Sequence, residues 1–505
     1  MSAQRLLFSL ERKTVVWRGG DNVSMKEKLA EIVGQGQVLD GRDQLEIYSW
    51  DHSLAPPRSP SYAVRPANTR EVQMVVDLAR QNRMPLVPVS STVHFNGSSI
   101  PQQGGIVIDL RRMNRILEID KLNRKVRIEP GVTWPQLQGE LEGHDLMALI
   151  PLLPHRDKSA LTSYLEREPA LIPKFDYAEP LLTMEIVFGS GKVLRTGSAC
   201  VPSALEKSAA EGVQPEGPGI DFFRLVQGAQ GSMGIVTWAN IKVEYLPRLN
   251  KLFFLPLNSL EEAVKPTYRI GQKMIGAECF LINNLNLAAI LAEGTSKEVE
   301  KLSNELPSWT VILVLAGGPR RPEEKLAYEE EALNEIAKEA SLPKVESTLP
   351  VVPDAGDRLL GMMRNSWSGE VYWKFRYKGR CQNLFFITIL EQVPSFLTVI
   401  REVAAASGYS EKDIGFYIQP LENGRACHFE ATFYYHDTEE DATRAHDLYA
   451  DAARAVLQRG ALFTRPYGLL ADLVYPRATA YTTALRKVKQ ILDPENILSP
   501  GKLCF

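Results

Sequence analysis

Residues 61–105, SYAVRPANTREVQMVVDLARQNRMPLVPVSSTVHFNGSSIPQQGG, constrain the fold of this chain more than any other stretch. Tyr62-Ala63-Val64 reads as a short strand closed by Pro66. Asn68 or Thr69 suits a helix N-cap, and Glu71 falls in the first turn, where a carboxylate favours the helix dipole. Val72, Val75, Val76 and Ala79 recur at helical spacing and mark one buried face. Pro85-Leu86-Val87-Pro88-Val89 is then a second strand, followed from Ser90 to Gly105 by a loop of small residues whose backbone N–H groups are open to approach. Such a loop can wrap a pyrophosphate.

The order RPANTREV, ARQNRMPLVPV, GGIVIDLRRMNRILEID, VRIEPGVTWPQL resembles the FAD-binding domain of the vanillyl-alcohol oxidase and p-cresol methylhydroxylase superfamily, which includes the FAD-linked glycolate and D-lactate dehydrogenases. Two further segments keep the family order. LVQGAQGSMGIV at Leu225–Val236 is similar to the family's GSEGTLGIIT segment, and DPENILSPGK at Asp493–Lys502 resembles its C-terminal signature. The resemblance implies an α+β protein: a two-lobed p-cresol methylhydroxylase-type FAD-binding domain and an α+β cap that covers the substrate. Residues 1–54 are expected to form an N-terminal extension and helix, 55–247 the FAD domain (lobes of about 55–142 and 143–247), 248–460 the cap, and 461–505 a return to the FAD domain.

The same resemblance implies a cofactor-binding set of Pro88, Ser90, Ser91, Thr92, Val93, Asn96 and Gly97 in the first loop, and Pro154, Ser159, Thr162 and Ser163 along the flavin. Gly231, Gly234, Ile235 and Val236 complete it at the second glycine-rich turn. Glycines there permit close backbone approach, and the hydroxyls offer donors to ring or phosphate oxygens. Where relatives commonly carry Arg-Gly-Gly-Gly-Thr, this chain has Val89-Ser90-Ser91-Thr92-Val93, and His94 stands one position beyond the usual place of a covalent attachment histidine. Non-covalent FAD is therefore expected. Glu166, Arg167 and Glu168 form a charge cluster whose default reading is a solvated or mutually paired surface.

In a flavin enzyme of this kind the cap supplies the substrate contacts. Three clusters qualify: 372–377, 427–436 and 465–477. Strand alternation puts His428 and Glu430 on one side and Cys427, Phe429 and Ala431 on the other. Arg465 and Tyr467 are placed like a Tyr/Arg pair that binds a phenolate in the alkylphenol-oxidising branch, and an arginine there equally suits a carboxylate. Arg465, Tyr467, His428, Glu430 and Tyr435 are the catalytic candidates, the last three for proton handling. A metal motif resembling EHGIG, carried by the glycolate and D-lactate branch, is absent before Ile491, so no metal site is expected. The expected function is hydride transfer from a small hydroxyl-bearing substrate, a 4-alkylphenol or hydroxy acid, to the flavin, with electrons passed to oxygen or an acceptor protein. A transferase resembling alkylglycerone-phosphate synthase and a flavoprotein subunit of an electron-transfer complex are the alternatives.

Composition narrows the partners. With 505 residues, 44% hydrophobic and 24% charged, the chain can bury two or three domains. A net charge of −3 and the lack of basic-aromatic clusters argue against nucleic acid. No apolar run approaches the roughly 20 residues of a membrane span, and Leu6-Leu7-Phe8 is too short for a signal-peptide core. The five dispersed cysteines suggest reduced thiols. A cytoplasmic protein with a small-molecule substrate is expected, free to form a homo-oligomer, with translation starting at Met1 or Met25.

Overall fold

Capping decides where the first lobe begins. The structure, a computed structural model, describes residues 23–175, 179–200, 212–342 and 345–505. The choice between Met1 and Met25 falls on residues 1–22, outside the described residues. Asn68 caps the helix Thr69–Gln81, its side chain accepting the Glu71 N–H at 3.0 Å. Val72, Val75, Val76 and Ala79 are fully buried. They lie against a four-stranded sheet of order Val38–Leu39, Tyr62–Val64, Ile106–Asp109, Leu86–Val89, whose last three strands are parallel. Parallel neighbours need a crossover, which the helix provides. At Gly105 (φ 84°) the chain passes so close to the preceding strand that a Cβ would meet the Pro85 carbonyl oxygen at 2.2 Å.

The C-terminal DPENILSPGK returns to this sheet. Leu86 N–H donates to the Ile497 carbonyl and Ser499 N–H to the Leu86 carbonyl, both at 2.7 Å. Buried Lys489 donates to Asp493 Oδ2 and the Ser232 carbonyl at 2.6 Å and to the Leu498 carbonyl at 2.9 Å. Asp493 in turn accepts the Ile497 and Leu498 N–H groups. A buried ion pair with its remaining bonds satisfied thus ties the end of the chain to the glycine-rich turn before Gly234.

That turn opens the long strand Ile235–Tyr245, the centre of a six-stranded sheet of order Ile116–Asp120, Lys125–Ile128, Ile235–Tyr245, Leu181–Val187, Val193–Arg195, with Leu146–Ala148 pairing the far end of the long strand. A hairpin turned at Gly189-Ser190-Gly191 pairs Ile186 with Leu194.

The third sheet has six antiparallel strands: Leu249–Leu257, Trp309–Gly317, Glu278–Asn283, Ile414–Leu421, Ala426–Tyr435, Arg380–Thr388. Helices Pro322–Glu339, Val393–Ala406 and Glu439–Gln458 bury one face through residues such as Ile336, Phe396 and Leu448. The other face packs on Asn284–Leu291 and Ala355–Met363 and on Leu152, Leu153 and Leu171 from before the sheet. Trp309–Gly317 is buried along its whole length, as a strand covered on both faces must be.

Sequence patterning and structure differ here in instructive places. Glu278–Leu291 is one apolar run in sequence, yet it changes from strand to helix at Asn283, whose side chain caps the helix by accepting the Asn286 N–H at 3.2 Å. Periodicity cannot divide such a run; the cap does.

Candidate active site

Register across the third sheet assembles the site. Glu430 on Ala426–Tyr435 lies opposite Phe385 on one neighbour and Tyr417 on the other. Strand alternation therefore projects His428, Glu430, Tyr417, Asn383 and Phe385 from one face, while Cys427, Phe429 and Ala431 enter the helix-covered core. Opposite them stand Phe95, Pro154, His155, Lys158 and Glu168 from the first domains, and Tyr372, Trp373 and Lys374 close one side. The cavity between them has a volume of about 90 Å³ open to water-sized molecules.

Two buried ion clusters line it. Lys374 bonds Glu430 directly, and His428 Nε2 lies 3.5 Å from the other carboxylate oxygen. Burial works to raise the Glu430 carboxyl, but the Lys374 ammonium and the His428 imidazole outweigh it and hold the group well below the usual carboxylate range. Burial pushes the His428 imidazole down, against the opposing pull of Glu430. Across the cavity Lys158 bonds Glu166 at 3.0 Å and also bonds Glu168. Burial of Lys158 is outweighed by its two carboxylates, which raise its pKa. Burial likewise opposes ionisation of Glu168, and Lys158 overcomes it. The charge run at Glu166–Glu168 is therefore neither the solvated nor the mutually paired surface its sequence suggests: both carboxylates are turned inward onto Lys158, outside the run, and Arg167 donates to the Thr464 and Gln227 carbonyls.

Arg465 differs from these. It is 5% exposed and its guanidinium lies 4.0 Å from the centroid of the Phe385 ring, yet no described residue forms a hydrogen bond or ion pair with it. A buried guanidinium with unused donors at a cavity wall is arranged to receive an anion. Aromatic rings of Phe95, Tyr372, Trp373, Phe385 and Tyr417 line the same space.

A second cavity adjoins this one through Asn96, Asn383 and Phe385, and it contains Gly97 and Tyr467. Tyr467 meets the Phe385 ring edge-on at 6.2 Å. The second cavity adjoins a third through Gln230. Lining the third are Pro88, Ser90 and Thr162, with Gly231, Gly234, Ile235 and Val236 from the second glycine-rich turn. Its chemistry fits a dinucleotide. Small residues expose backbone N–H groups, and the buried Ser499 hydroxyl, which a Cβ at Gly231 would approach to 3.2 Å, has no partner among the described residues. Glu166 also faces this cavity, but the Lys158 ammonium offsets its charge. His94 lies on the same wall with Nε2 at 3.1 Å from the Ser91 carbonyl.

Of the residues singled out from sequence, the structure brings Arg465, His428 and Glu430 to one cavity, with Asn96 and Pro154 on its opposite wall. Tyr435 sits at the far end of its strand, opposite Arg380, and lines none of the three cavities. Ser91, Thr92, Val93, Ser159 and Ser163 also lie off the lining. Ser91 Oγ accepts the Ser159 N–H at 2.9 Å, Ser159 caps the helix Ala160–Leu165, and Ser163 Oγ accepts from the Trp134 indole at 3.3 Å. Sequence reasoning passed over Lys158, Asn383, Phe385 and Tyr417. Only the alternation of Asn383 and Phe385 along one strand face signals any of them.

The comparisons agree with this architecture. Residues 60–156 match the model of the FAD binding domain, and residues 471–503 match that of the C-terminal domain of FAD linked oxidases. The glycolate oxidase subunit GlcD of Bacillus subtilis is 23% identical over 95% of this chain and 96% of its own length. The fold is shared with p-cresol methylhydroxylase with substrate bound (TM-score 0.82, 19% identity, 95% of this chain and 96% of that one). It is shared equally with 4-ethylphenol oxidase from Gulosibacter chungangensis in its isoeugenol complex (TM-score 0.81, 19% identity, 95% and 98%). The fold and its cavities define an FAD-linked oxidoreductase. The matched domains and relatives make the chain an FAD-linked oxidase or dehydrogenase, and FAD is its cofactor. Among the described residues no helix is long and apolar enough to cross a membrane, and no cluster of three His, Cys, Asp or Glu side chains is placed to hold a metal.

Proposed function

We propose that this enzyme oxidises a 4-alkylphenol or a closely similar hydroxylated aromatic compound, bound as its oxyanion. The observation that carries the reading is the unpaired, buried Arg465 guanidinium at the wall of an aromatic-lined cavity. Rings on several sides favour a planar aromatic body over a small aliphatic hydroxy acid. In this reading residues 55–247 and 461–505 hold FAD, in the third cavity and toward the second, and residues 248–460 cover the substrate.

The chain's own groups have distinct tasks. Arg465 receives the substrate oxygen and stabilises its negative charge. His428, kept neutral by burial, takes the hydroxyl proton at Nε2. Glu430 lies beside that nitrogen, stabilises the imidazolium, and is itself held ionised by Lys374. Tyr467, packed against Phe385, supports the ring on which Arg465 lies. Charge on the substrate oxygen pushes electron density to the para carbon substituent, which makes a hydride there easier to lose. FAD supplies the two-electron acceptor for that hydride and returns the electrons to oxygen or an acceptor protein. Closure by aromatic side chains keeps water from the oxyanion.

Anaerobic mixing tests the assignment. 4-Ethylphenol is expected to bleach the flavin absorbance of the purified enzyme within seconds, and D-lactate and glycolate to leave it unchanged. Bleaching by the hydroxy acids alone would refute the aromatic assignment.

A further inference from the structure

Charges around the first cavity balance without a ligand. It is lined by the cations Lys158, Lys374 and Arg465 and the carboxylates Glu168 and Glu430, and the balance is completed by Glu166, which lines the third cavity and shares the Lys158 ammonium with Glu168. Lys374 is matched to Glu430, and Lys158 to one of its two carboxylates. The remaining carboxylate is the formal counter-charge of Arg465, whose field reaches Glu168 without a direct bond. An anion placed on Arg465 therefore leaves one uncompensated negative charge in a space walled by aromatic rings, prolines and paired ions. Such an excess is costly where water is excluded.

Resting on the anion-binding reading above, we infer that ligand binding to Arg465 and protonation of His428 are a single linked event, so that the occupied site holds an oxyanion and an imidazolium. Geometry singles out His428. It lines the cavity, it is 2% exposed, and its Nε2 lies 3.5 Å from Glu430 Oε2, an oxygen that Lys374, bonded to Oε1, leaves available. The groups that face it are few. On its own strand there is Glu430. The neighbouring strand presents Tyr417, ring centroids 6.0 Å apart, with Gln419 opposite in register. The other neighbour presents Phe385 at 5.9 Å. Lys374 comes from the turn Trp373–Phe375, and Arg465 from the segment after residue 460. None of these takes up a proton near neutrality, and the cavity's other imidazole, His155, stands on the opposite wall against Tyr372 with its Nδ1 already accepting the Asp157 N–H at 3.1 Å. Burial pushes the Tyr417 hydroxyl up, and Glu430 is held ionised by Lys374. An anion on Arg465 removes the cationic field that disfavours the imidazolium, while Glu430 continues to favour it.

The balance of protons then depends on the ligand. A phenol enters with its own proton and hands it to His428, so nothing is exchanged with solvent. A carboxylate arrives ionised, so the proton comes from water. The same pocket thus binds phenols with little pH dependence below their own ionisation, and binds carboxylates progressively more weakly as pH rises.

Isothermal titration of the FAD-loaded enzyme with benzoate and with 4-chlorophenol, which has no para carbon to oxidise, tests this in phosphate and Tris buffers of equal pH. The difference in heat between buffers counts protons. Benzoate is expected to take up about one proton per site, and its Kd to rise about tenfold per pH unit above neutrality. 4-Chlorophenol is expected to exchange essentially none. H428Q, checked for an unchanged flavin spectrum and melting curve, should bind benzoate without proton uptake. Tight benzoate binding to the wild type with no uptake would overturn the linkage and leave the anion site standing. Loss of uptake in E168Q with full uptake in H428Q would overturn the assignment to His428. Binding of neither probe would overturn the anion site and the linkage with it.

Discussion

Lys158→Met is expected to destabilise the enzyme by about 3 kcal/mol at mildly alkaline pH, with a deficit that shrinks on acidification. The Lys158 side chain is 5% exposed, and those of its partners Glu166 and Glu168 are 15% and 20% exposed. Each charge pair at about 3 Å is worth on the order of 5 kcal/mol at an effective dielectric near 20, before desolvation is subtracted. Removing one member of a buried pair typically costs about 3–5 kcal/mol, because the remaining charge stays buried without its partner. Two partners are stranded here, but both retain some contact with solvent, which places the expectation at the lower end. The pH dependence follows from the sign of the shift. In the wild type the Glu168 carboxyl is held low, burial being outweighed by Lys158, so it contributes stability above the ordinary carboxylate range that is lost as pH falls. Without Lys158 burial dominates, the Glu168 carboxyl shifts up, and protonating it relieves the strain. Urea unfolding followed by far-UV circular dichroism and flavin fluorescence, at about pH 8 and about pH 5, reads both effects. The triple variant K158M/E166Q/E168Q should recover most of the loss. A cost below about 1 kcal/mol that is the same at both pH values would show that solvent screens the cluster, and would refute the buried-triad account.

Two further outcomes follow from the opposite wall. R465A should lower kcat/KM for a 4-alkylphenol about 10- to 100-fold, the worth of a charge-assisted hydrogen bond, with R465K recovering only part because the planar fork is lost; steady-state kinetics checks it. E430Q removes an interaction that raises the His428 pKa, so the acid limb of the kcat/KM profile should move to lower pH relative to the wild type. An unmoved limb would mean that Glu430 does not act through His428.

Part of this architecture is legible in local pattern. Thr69–Gln81 shows its cap, its acidic first turn and its apolar stripe within thirteen residues. The glycine-rich turn at Gly228–Gly234 leads directly into the strand Ile235–Tyr245. The alternation along Ala426–Tyr435 separates His428 and Glu430 from Cys427 and Phe429, and that separation holds in three dimensions. Local pattern fails where the partner is remote. Glu166 and Glu168 look like part of a solvated patch until Lys158 is folded back over them. Ser91 and Ser159 look like cofactor ligands, but they bond each other across 68 residues.

The sequence by itself determined the FAD-linked oxidase or dehydrogenase class, the cofactor and the identity of three cavity residues, His428, Glu430 and Arg465. These rest on strand period, helix caps and motif order, all of which act over short spans of chain. Tertiary structure alone decided which charges are cancelled and which is left over. Lys374 reaches Glu430 across 56 residues from the turn Trp373–Phe375, while Arg465, from the segment after residue 460, lies on Phe385 with no bonding partner among the described residues; the register of three antiparallel strands sets Glu430 and Phe385 side by side to receive them. Charge balance in a buried cavity is a sum over groups that sequence places far apart, so it becomes readable only when the sheet has brought them together.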